Sequence, residues 1–386
     1  MGDDPMIPYG KHFIDMKDIW AVVSVLKNGW LSQGPKVREF EEAFAAYCGS
    51  KYAVSVSSGT AGLQLACLAA GLDAKSQAIL SPLTFLASAN AVLYASAKPV
   101  FSDIEKDTLN LDIRLAMEKI NRRTKVLMPV HYGGYSCHLA PYRSALRRRG
   151  VVVIEDACHA LGAVYQGKKV GSCKFSDMAV FSFHPLKSIT TGEGGMITTN
   201  DAGYYQRLLT LRNHGMVRDP KKLERNDGPW FYEMQELGVN ARLTDIQCAL
   251  GLSQLKKLPA FIEKRKQLVQ LYLKKLKNIP QVQWLWTGRP GVVGDSAHHL
   301  FVVKLAEEVN RRKLVEDLKK EGVGSQVHYF PVHLHPYYRK LGYKKGECPL
   351  AEKAYETILT LPLYYEMKPR DVEKVTSSLK HGLEKK

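Results

Sequence analysis

The sequence predicts an α/β protein: a large first part built on a mostly parallel, seven-stranded sheet, followed by a smaller α+β part. Two observations carry this prediction. Between about residue 50 and residue 200, short apolar runs alternate with helical patterns, as buried strands covered by helices on both faces do. Beyond about residue 245 the alternation gives way to long, charged helical patterns. The chain therefore divides into a large domain, 1–245, with an N-terminal arm, and a small C-terminal domain, 246–386. Its 386 residues suit such a division better than one minimal core.

Seven runs supply the strands: 52–56, 78–80, 100–101, 126–130, 151–154, 178–183 and 196–199. The first leads into Ser57-Ser58-Gly59-Thr60 and an amphipathic run, 63–70. The fifth is β-branched and ends at Glu155-Asp156. The stretch 217–236 is polar, with Pro and Gly, and reads as a mobile loop. In the second part, 246–255 and 262–276 read as two long helices, 301–304 as a strand and 311–321 as a charged helix. An aromatic and histidine-rich stretch, 327–338, follows.

Composition excludes several classes of function. Apolar residues make up 45% and charged residues 24%, as in ordinary globular proteins. No run approaches the roughly 20 apolar residues of a membrane helix. Residues 1–11 lack the apolar centre of a secretion signal, and Met6 stands where a myristoylation signal has Ser or Thr, so a cytoplasmic location is expected. The seven cysteines are scattered without a Cys-x-x-Cys pair, which argues for reduced thiols rather than disulfides or structural zinc. The formal net charge is +17, spread in short runs such as Arg147-Arg148-Arg149. No nucleic-acid-binding signature accompanies it. Most of that charge reads as solvated surface, with a minority free to steer an anionic substrate, in which case kcat/KM falls with added salt.

Four segments carry candidate chemistry. Ser57-Ser58-Gly59-Thr60-Ala61 follows a strand and opens a helix, where small residues and free N–H groups suit a phosphate. A plain N-cap would look the same. Asp156 stands at the carboxyl end of a strand, where ligands of open α/β sheets bind. It can hold a pyridine nitrogen protonated, or simply cap a helix. In Phe181-Ser182-Phe183-His184-Pro185-Leu186-Lys187 a strand runs into a turn ending in lysine. Partial burial would leave that amine neutral enough to condense with an aldehyde, and Ser182 could bind a phosphate. Thr190-Thr191-Gly192-Glu193-Gly194-Gly195 is dense enough in glycine to suggest backbone packed close to a neighbour.

Order and spacing together make the sequence resemble the DegT/StrS-type sugar aminotransferases, a branch of the fold-type I pyridoxal-phosphate enzymes. The likeness runs nearly end to end. It includes Leu31-Ser32-Gln33-Gly34-Pro35, Phe40-Glu41, Ser58-Gly59-Thr60, Pro82-Leu83-Thr84-Phe85, Glu155 through Gly162, Ser182 through Lys187, Gly192-Glu193-Gly194-Gly195 and Asn240 through Gln247. The Phe-His-Pro-x-Lys form and Gln326-Val327-His328-Tyr329 are most similar to the C4-aminotransferases of pseudaminic acid biosynthesis. Ala61-Gly62-Leu63 and Cys158 depart from the commoner pattern, and neither removes a reactive group.

The resemblance implies pyridoxal 5'-phosphate as cofactor. Lys187 would carry it as a Schiff base and Asp156 would pair with its pyridine nitrogen. Phe85 would stack on the ring, with His159 near the other face or the phenolic oxygen. Ser58, Gly59, Thr60 and Ser182 would hold the phosphate. Asn240 would reach the cofactor of the neighbouring subunit in a homodimer, and His328 and Tyr329 would lie near the nucleotide-sugar. The donor would be L-glutamate and the acceptor a UDP-linked 4-keto-6-deoxy sugar, in two half-reactions served by the one lysine.

Three rivals remain distinct. A sugar dehydratase of the same fold would tend to carry His in place of Lys187. A non-catalytic regulator would bring a DNA-binding domain, and residues 1–50 hold no helix-turn-helix, so no nucleic-acid or membrane partner is expected. A metal site among His298, His299, His328, His333 and His335 lacks zinc spacing; these read as loop residues facing solvent or substrate, and no metal is expected.

Overall fold

The computed structural model describes residues 6–284 and 294–384. The Met1-Gly2 start weighed for myristoylation lies outside them. All seven expected strands are present. Five precede residue 160: β1 (Tyr52–Val56), β2 (Gln77–Leu80), β3 (Lys98–Phe101), β4 (Thr124–Met128) and β5 (Val152–Asp156). The strands Met178–Ser182 and Gly195–Thr199 complete one sheet. From one edge it reads β1, Gly195–Thr199, Met178–Ser182, β5, β4, β2, β3. Gly195–Thr199 runs antiparallel to both neighbours, and the other six strands are parallel to one another. Strand side chains such as Val54, Ile79, Leu127, Val153 and Val180 are fully buried, as a sheet covered on both faces requires.

Four helices precede or cover the first strands: α1 (Met16–Asn28), α2 (Pro35–Cys48), α3 (Gly59–Ala69) and α4 (Leu86–Tyr94). The glycine that departs from the usual pattern has a packing reason. A Cβ on Gly62 would stand 2.8 Å from a methyl of Val180 and 3.3 Å from one of Val56. α3 crosses the sheet too closely for any side chain there. The cost of roughly 1 kcal/mol for helical glycine is offset by that contact.

The two helices read at 246–255 and 262–276 are one, Asp245–Leu276, of 32 residues. Thr244 and Gln247 form a capping box at its start. Pro259 lies inside it and leaves the Leu255 carbonyl without a helical N–H. Burial outweighs that loss. Leu255, Leu258 and Phe261 before and after the proline sit in the core beside the large sheet, and Leu268, Val269, Tyr272 and Leu276 continue the stripe into the C-terminal core. The apolar spacing thus persists across the proline, which a sequence reading takes as a break.

Beyond this helix lies a three-stranded antiparallel sheet, Val282–Trp284, Phe301–Leu305 and Ile358–Leu361, covered by Arg311–Lys320 and Pro369–Glu384. The N-terminal arm, first in sequence, reaches this far part: Ile7 pairs with Val323, and Tyr9 accepts from the Leu363 N–H. The stretch 217–236 is tied at its ends. Met216–Val217 pairs with Glu233–Met234, and the Gln235 N–H bonds to the Gly215 carbonyl.

Candidate active site

The four candidate segments meet at the carboxyl ends of the parallel strands, around a cavity of about 580 Å³. Ser58, Gly59 and Thr60 line it, as do Phe85, Asp156, His159, Ser182, Lys187, His328 and Tyr329. Asn240 does not. It is exposed and bridges to Asn213.

Ser58 is an N-cap: its hydroxyl accepts the Ala61 N–H at 3.1 Å. The capping and binding readings of this segment are compatible, because Gly59 and Thr60 line the cavity and a helix start leaves its first N–H groups without intrahelical partners. A Cβ on Gly59 would lie 2.8 Å from that of Ser182 and 3.2 Å from its hydroxyl. Glycine therefore brings the helix start and the Ser182 hydroxyl into one cup, the shape a phosphate requires. The glycine run behaves as expected. A Cβ on Gly195 would strike the Phe181 carbonyl at 2.7 Å and the Ser58 backbone at 2.8 Å. The Glu193 carbonyl accepts from Gln247 at 2.8 Å, so the long helix pins this loop.

Asp156 is buried, its carboxylate accepting the Ser88 hydroxyl at 2.6 Å and the Cys158 N–H at 3.2 Å. Lys187 ends a turn closed by its own N–H on the His184 carbonyl, 2.8 Å. Its ammonium makes no hydrogen bond or ion pair among the described residues. Burial pushes this amine below the ordinary lysine range, against the opposing influence of Cys158 and Asp156. A depressed amine pKa is what nucleophilic attack on an aldehyde needs.

The opposite wall is aromatic. Phe85 caps the start of α4 and leaves its ring open to the cavity, 6.2 Å from Tyr329. His159 Nδ1 accepts the Gly133 N–H at 3.3 Å, which places the neutral ring's proton on Nε2, facing the Tyr329 oxygen at 3.0 Å. Burial first, then Lys187 and His328, hold His159 well below the usual histidine range. His328 bonds Thr360 at 2.8 Å, and burial pushes it down to about 3. Burial raises the Tyr329 phenol, so it stays protonated.

Two residues of the site escape the sequence reading. Tyr9 enters the cavity from the N-terminal arm, and Ser88 stands behind Asp156 without lining the cavity. Local pattern marks neither; each arrives through tertiary structure. His299, read above as facing solvent or substrate, lines the cavity with its ring 4.5 Å from that of His159. His333 differs from its expectation. It is fully buried and bonded to Glu352 at 2.9 Å, because the helix Pro349–Thr357 presents a carboxylate to it. Among the described residues no cluster of three or more His, Cys, Asp or Glu could hold a metal.

The arrangement has a small-residue cup for a phosphate, a buried carboxylate, an unpartnered lysine and an open aromatic ring. It fits a phosphorylated pyridine aldehyde. Residues 13–380 match the model of the DegT/DnrJ/EryC1/StrS aminotransferase family. The chain belongs to this family. It is a pyridoxal-phosphate-dependent sugar aminotransferase. It is 38% identical over 386 residues to the UDP-4-amino-4,6-dideoxy-N-acetyl-beta-L-altrosamine transaminase of Campylobacter jejuni, covering 98% of each chain. It is equally 38% identical, over 381 residues, to the spore coat polysaccharide biosynthesis protein SpsC of Bacillus subtilis, covering 97% of this chain and 96% of that one. Among solved structures it is similar to Helicobacter pylori PseC, an aminotransferase of pseudaminic acid biosynthesis, with a TM-score of 0.89 and 32% identity over 98% of this chain and 99% of the other. The seven-stranded fold-type I architecture follows from the same likeness. No described helix is long and apolar enough to cross a membrane.

Proposed function

We propose that this aminotransferase moves the amino group of L-glutamate to C4 of a UDP-linked 2-acetamido-2,6-dideoxy-4-keto hexose of L-arabino configuration. The product is the corresponding UDP-4-amino-4,6-dideoxy-N-acetyl-β-L-altrosamine. The observation that carries the reading is the end-to-end likeness to a transaminase of that name, together with Lys187 lining one cavity with Asp156 and the phosphate cup. When bound, pyridoxal phosphate supplies the electron sink that lets an amino acid's α-proton leave.

The chain's residues divide the remaining work. The helix start at Ser58, Gly59 and Thr60, with Ser182, holds the phosphate. Asp156 holds a proton on the pyridine nitrogen, and Phe85 and His159 fix the ring between them. Lys187, displaced when the donor binds, takes a proton at one carbon and returns it at another in each half-reaction. His328 and Tyr329 face the sugar. The large part, 1–245, carries the cofactor, and the part from 246 onward closes over it.

We also read the active unit as a cytoplasmic homodimer. Trp20, Trp30, Leu31, Trp230 and Leu237 expose large apolar surfaces on and after α1 and around the 217–236 excursion, which a second copy would cover. Asn240 is exposed beside them in sequence and free to reach a partner's cofactor.

The deciding experiment is a half-reaction. Enzyme carrying the aminated cofactor is mixed with a panel of nucleotide keto-sugars while the visible band of the lysine-bound cofactor is followed. The UDP-linked L-arabino sugar should restore it fastest. Faster recovery with a D-configured, dTDP- or GDP-linked sugar, or with a 3-keto sugar, would overturn the assignment. The similarity to SpsC makes such a second substrate the alternative reading.

A further inference from the structure

A chain of two hydroxyls runs to Asp156, from Thr84 at the cavity wall through Ser88, which does not line the cavity. Ser88, in the first turn of α4, is fully buried, and its oxygen sits 2.6 Å from Asp156 Oδ2. Thr84, also buried, places its hydroxyl 2.7 Å from that of Ser88. The direction of these bonds follows from proton counting. An ionised carboxylate only accepts, and a serine has one proton to give. Ser88 therefore donates to Asp156, and Thr84 donates to Ser88. The other carboxylate oxygen takes the Cys158 N–H at 3.2 Å.

We propose that Ser88, polarised by Thr84, is a positioning residue: it fixes the orientation of the Asp156 carboxylate and keeps its negative charge stabilised, so that a proton stays on the cofactor's pyridine nitrogen. The inference rests on the reading of Asp156 as the pyridine partner. A hydrogen bond to a charged acceptor is about twice as strong as a neutral one, and chains of hydroxyls reinforce each other in a buried setting. A carboxylate so held keeps a fixed orientation toward the ring nitrogen. Without Ser88 the carboxylate would lose one of its two hydrogen-bond donors and be free to rotate away from the ring nitrogen. The ring would then spend part of its time unprotonated, and the imine nitrogen joining it to Lys187 would become more basic.

The test is made on the full-length enzyme in two ways, neither of which is activity. One is the pH midpoint of the visible band of the lysine-bound cofactor. The other is equilibrium binding of pyridoxamine 5'-phosphate, which attaches without the lysine bond. Besides Asp156, the titratable groups lining the cavity are Tyr9, Cys158, His159, His184, Lys187, Glu193, His299, His328 and Tyr329, and all stay in place. Ser88→Ala should raise the midpoint by about one pH unit and weaken pyridoxamine phosphate about tenfold. Ser88→Thr should restore both. Thr84→Val should shift the midpoint the same way by less, and the double variant should match Ser88→Ala alone, because Thr84 acts through Ser88. A wild-type midpoint and affinity in Ser88→Ala would overturn the proposal, as would additive shifts in the double variant. Equal loss of thermal stability in apo and loaded Ser88→Ala with an unmoved midpoint would reduce the serine to a packing role. Asp156→Asn separates the two levels. If it leaves both readouts unchanged, the reading of Asp156 fails; if only the Ser88 variants do, the relay alone falls.

Discussion

Glu41 and Asp156 are both acids at the end of hydrogen-bonded side-chain clusters, and the clusters differ in one respect. One Glu41 oxygen accepts the Ser55 N–H and hydroxyl, each at 2.8 Å, and pairs with Arg212 at 2.5 Å. Arg212 in turn bonds the Ser55 carbonyl at 2.8 Å. That cluster joins α2, β1 and the helix Ala202–Arg212, and its charges cancel within the chain. Asp156 is as deeply placed, but among the described residues no cation is bonded to it and the nearby Lys187 has no acceptor. Buried charge is costly unless answered. A cluster that answers its own charge holds the fold together; one that leaves charge open is set for a ligand.

The largest effect should come from Lys187→Ala. It should lower the transamination rate by about 10²–10⁴-fold and abolish the visible band, while the melting temperature of the apo form stays near wild type. A large drop in that temperature would place the lysine with the closed kind of cluster. The converse holds for Glu41→Ala. It leaves the Arg212 charge buried and should cost about 3–5 kcal/mol in denaturant unfolding, with near-normal kcat per folded molecule. A loss of kcat without loss of stability would erase the distinction.

A smaller effect is acid sensitivity from buried histidines in and beside the cavity. Burial holds His328 down to about 3 and His298 to about 4, and lowers His159 and His299 as well. The unfolded chain protonates these rings below about 6.5, whereas the folded chain does not until lower pH. Unfolding therefore takes up protons, and stability should be flat above about pH 6.5 and fall as pH drops toward 4. Replacing His328 by Phe should flatten that fall, read by thermal melts across pH; an unchanged slope would count against its burial as a neutral ring.

The smallest effect is expected at the other end of the sheet. Arg147 and Arg148 are exposed just before β5, at its amino end, whereas the cavity lies at the carboxyl end. Lys187 is the one lysine or arginine lining the cavity among the described residues. Arg147→Gln with Arg148→Gln should leave kcat/KM and its salt dependence unchanged. A flatter salt profile would assign these arginines to steering the anionic substrate.

Much of this was legible before the structure. Strand placement follows from apolar runs because both faces of the sheet are buried. Lys187, Asp156 and the Gly59 segment were visible because each sits at a strand end, where local pattern and ligand position coincide. The rest depends on contacts far apart in sequence. Ser88 lies 68 residues from the carboxylate it touches, and no periodicity marks it. Tyr9 enters the cavity because Ile7 has paired with Val323. Local pattern resolves the long helix into two pieces, 246–255 and 262–276, either side of Pro259, and only the two cores on its flank show that it continues.

Cys158 has a consequence for handling the enzyme. It is the one cysteine of the seven that is not fully buried, and it lines the cavity within reach of any small reagent that enters. Yet burial, and then the neighbouring Asp156, push its thiol well above the ordinary range. Alkylating agents and peroxide react with the thiolate, which is scarce here at neutral pH. A sulfur lining the same cavity as Lys187 is thereby kept a poor nucleophile, and the enzyme should tolerate aerobic storage without a reducing agent.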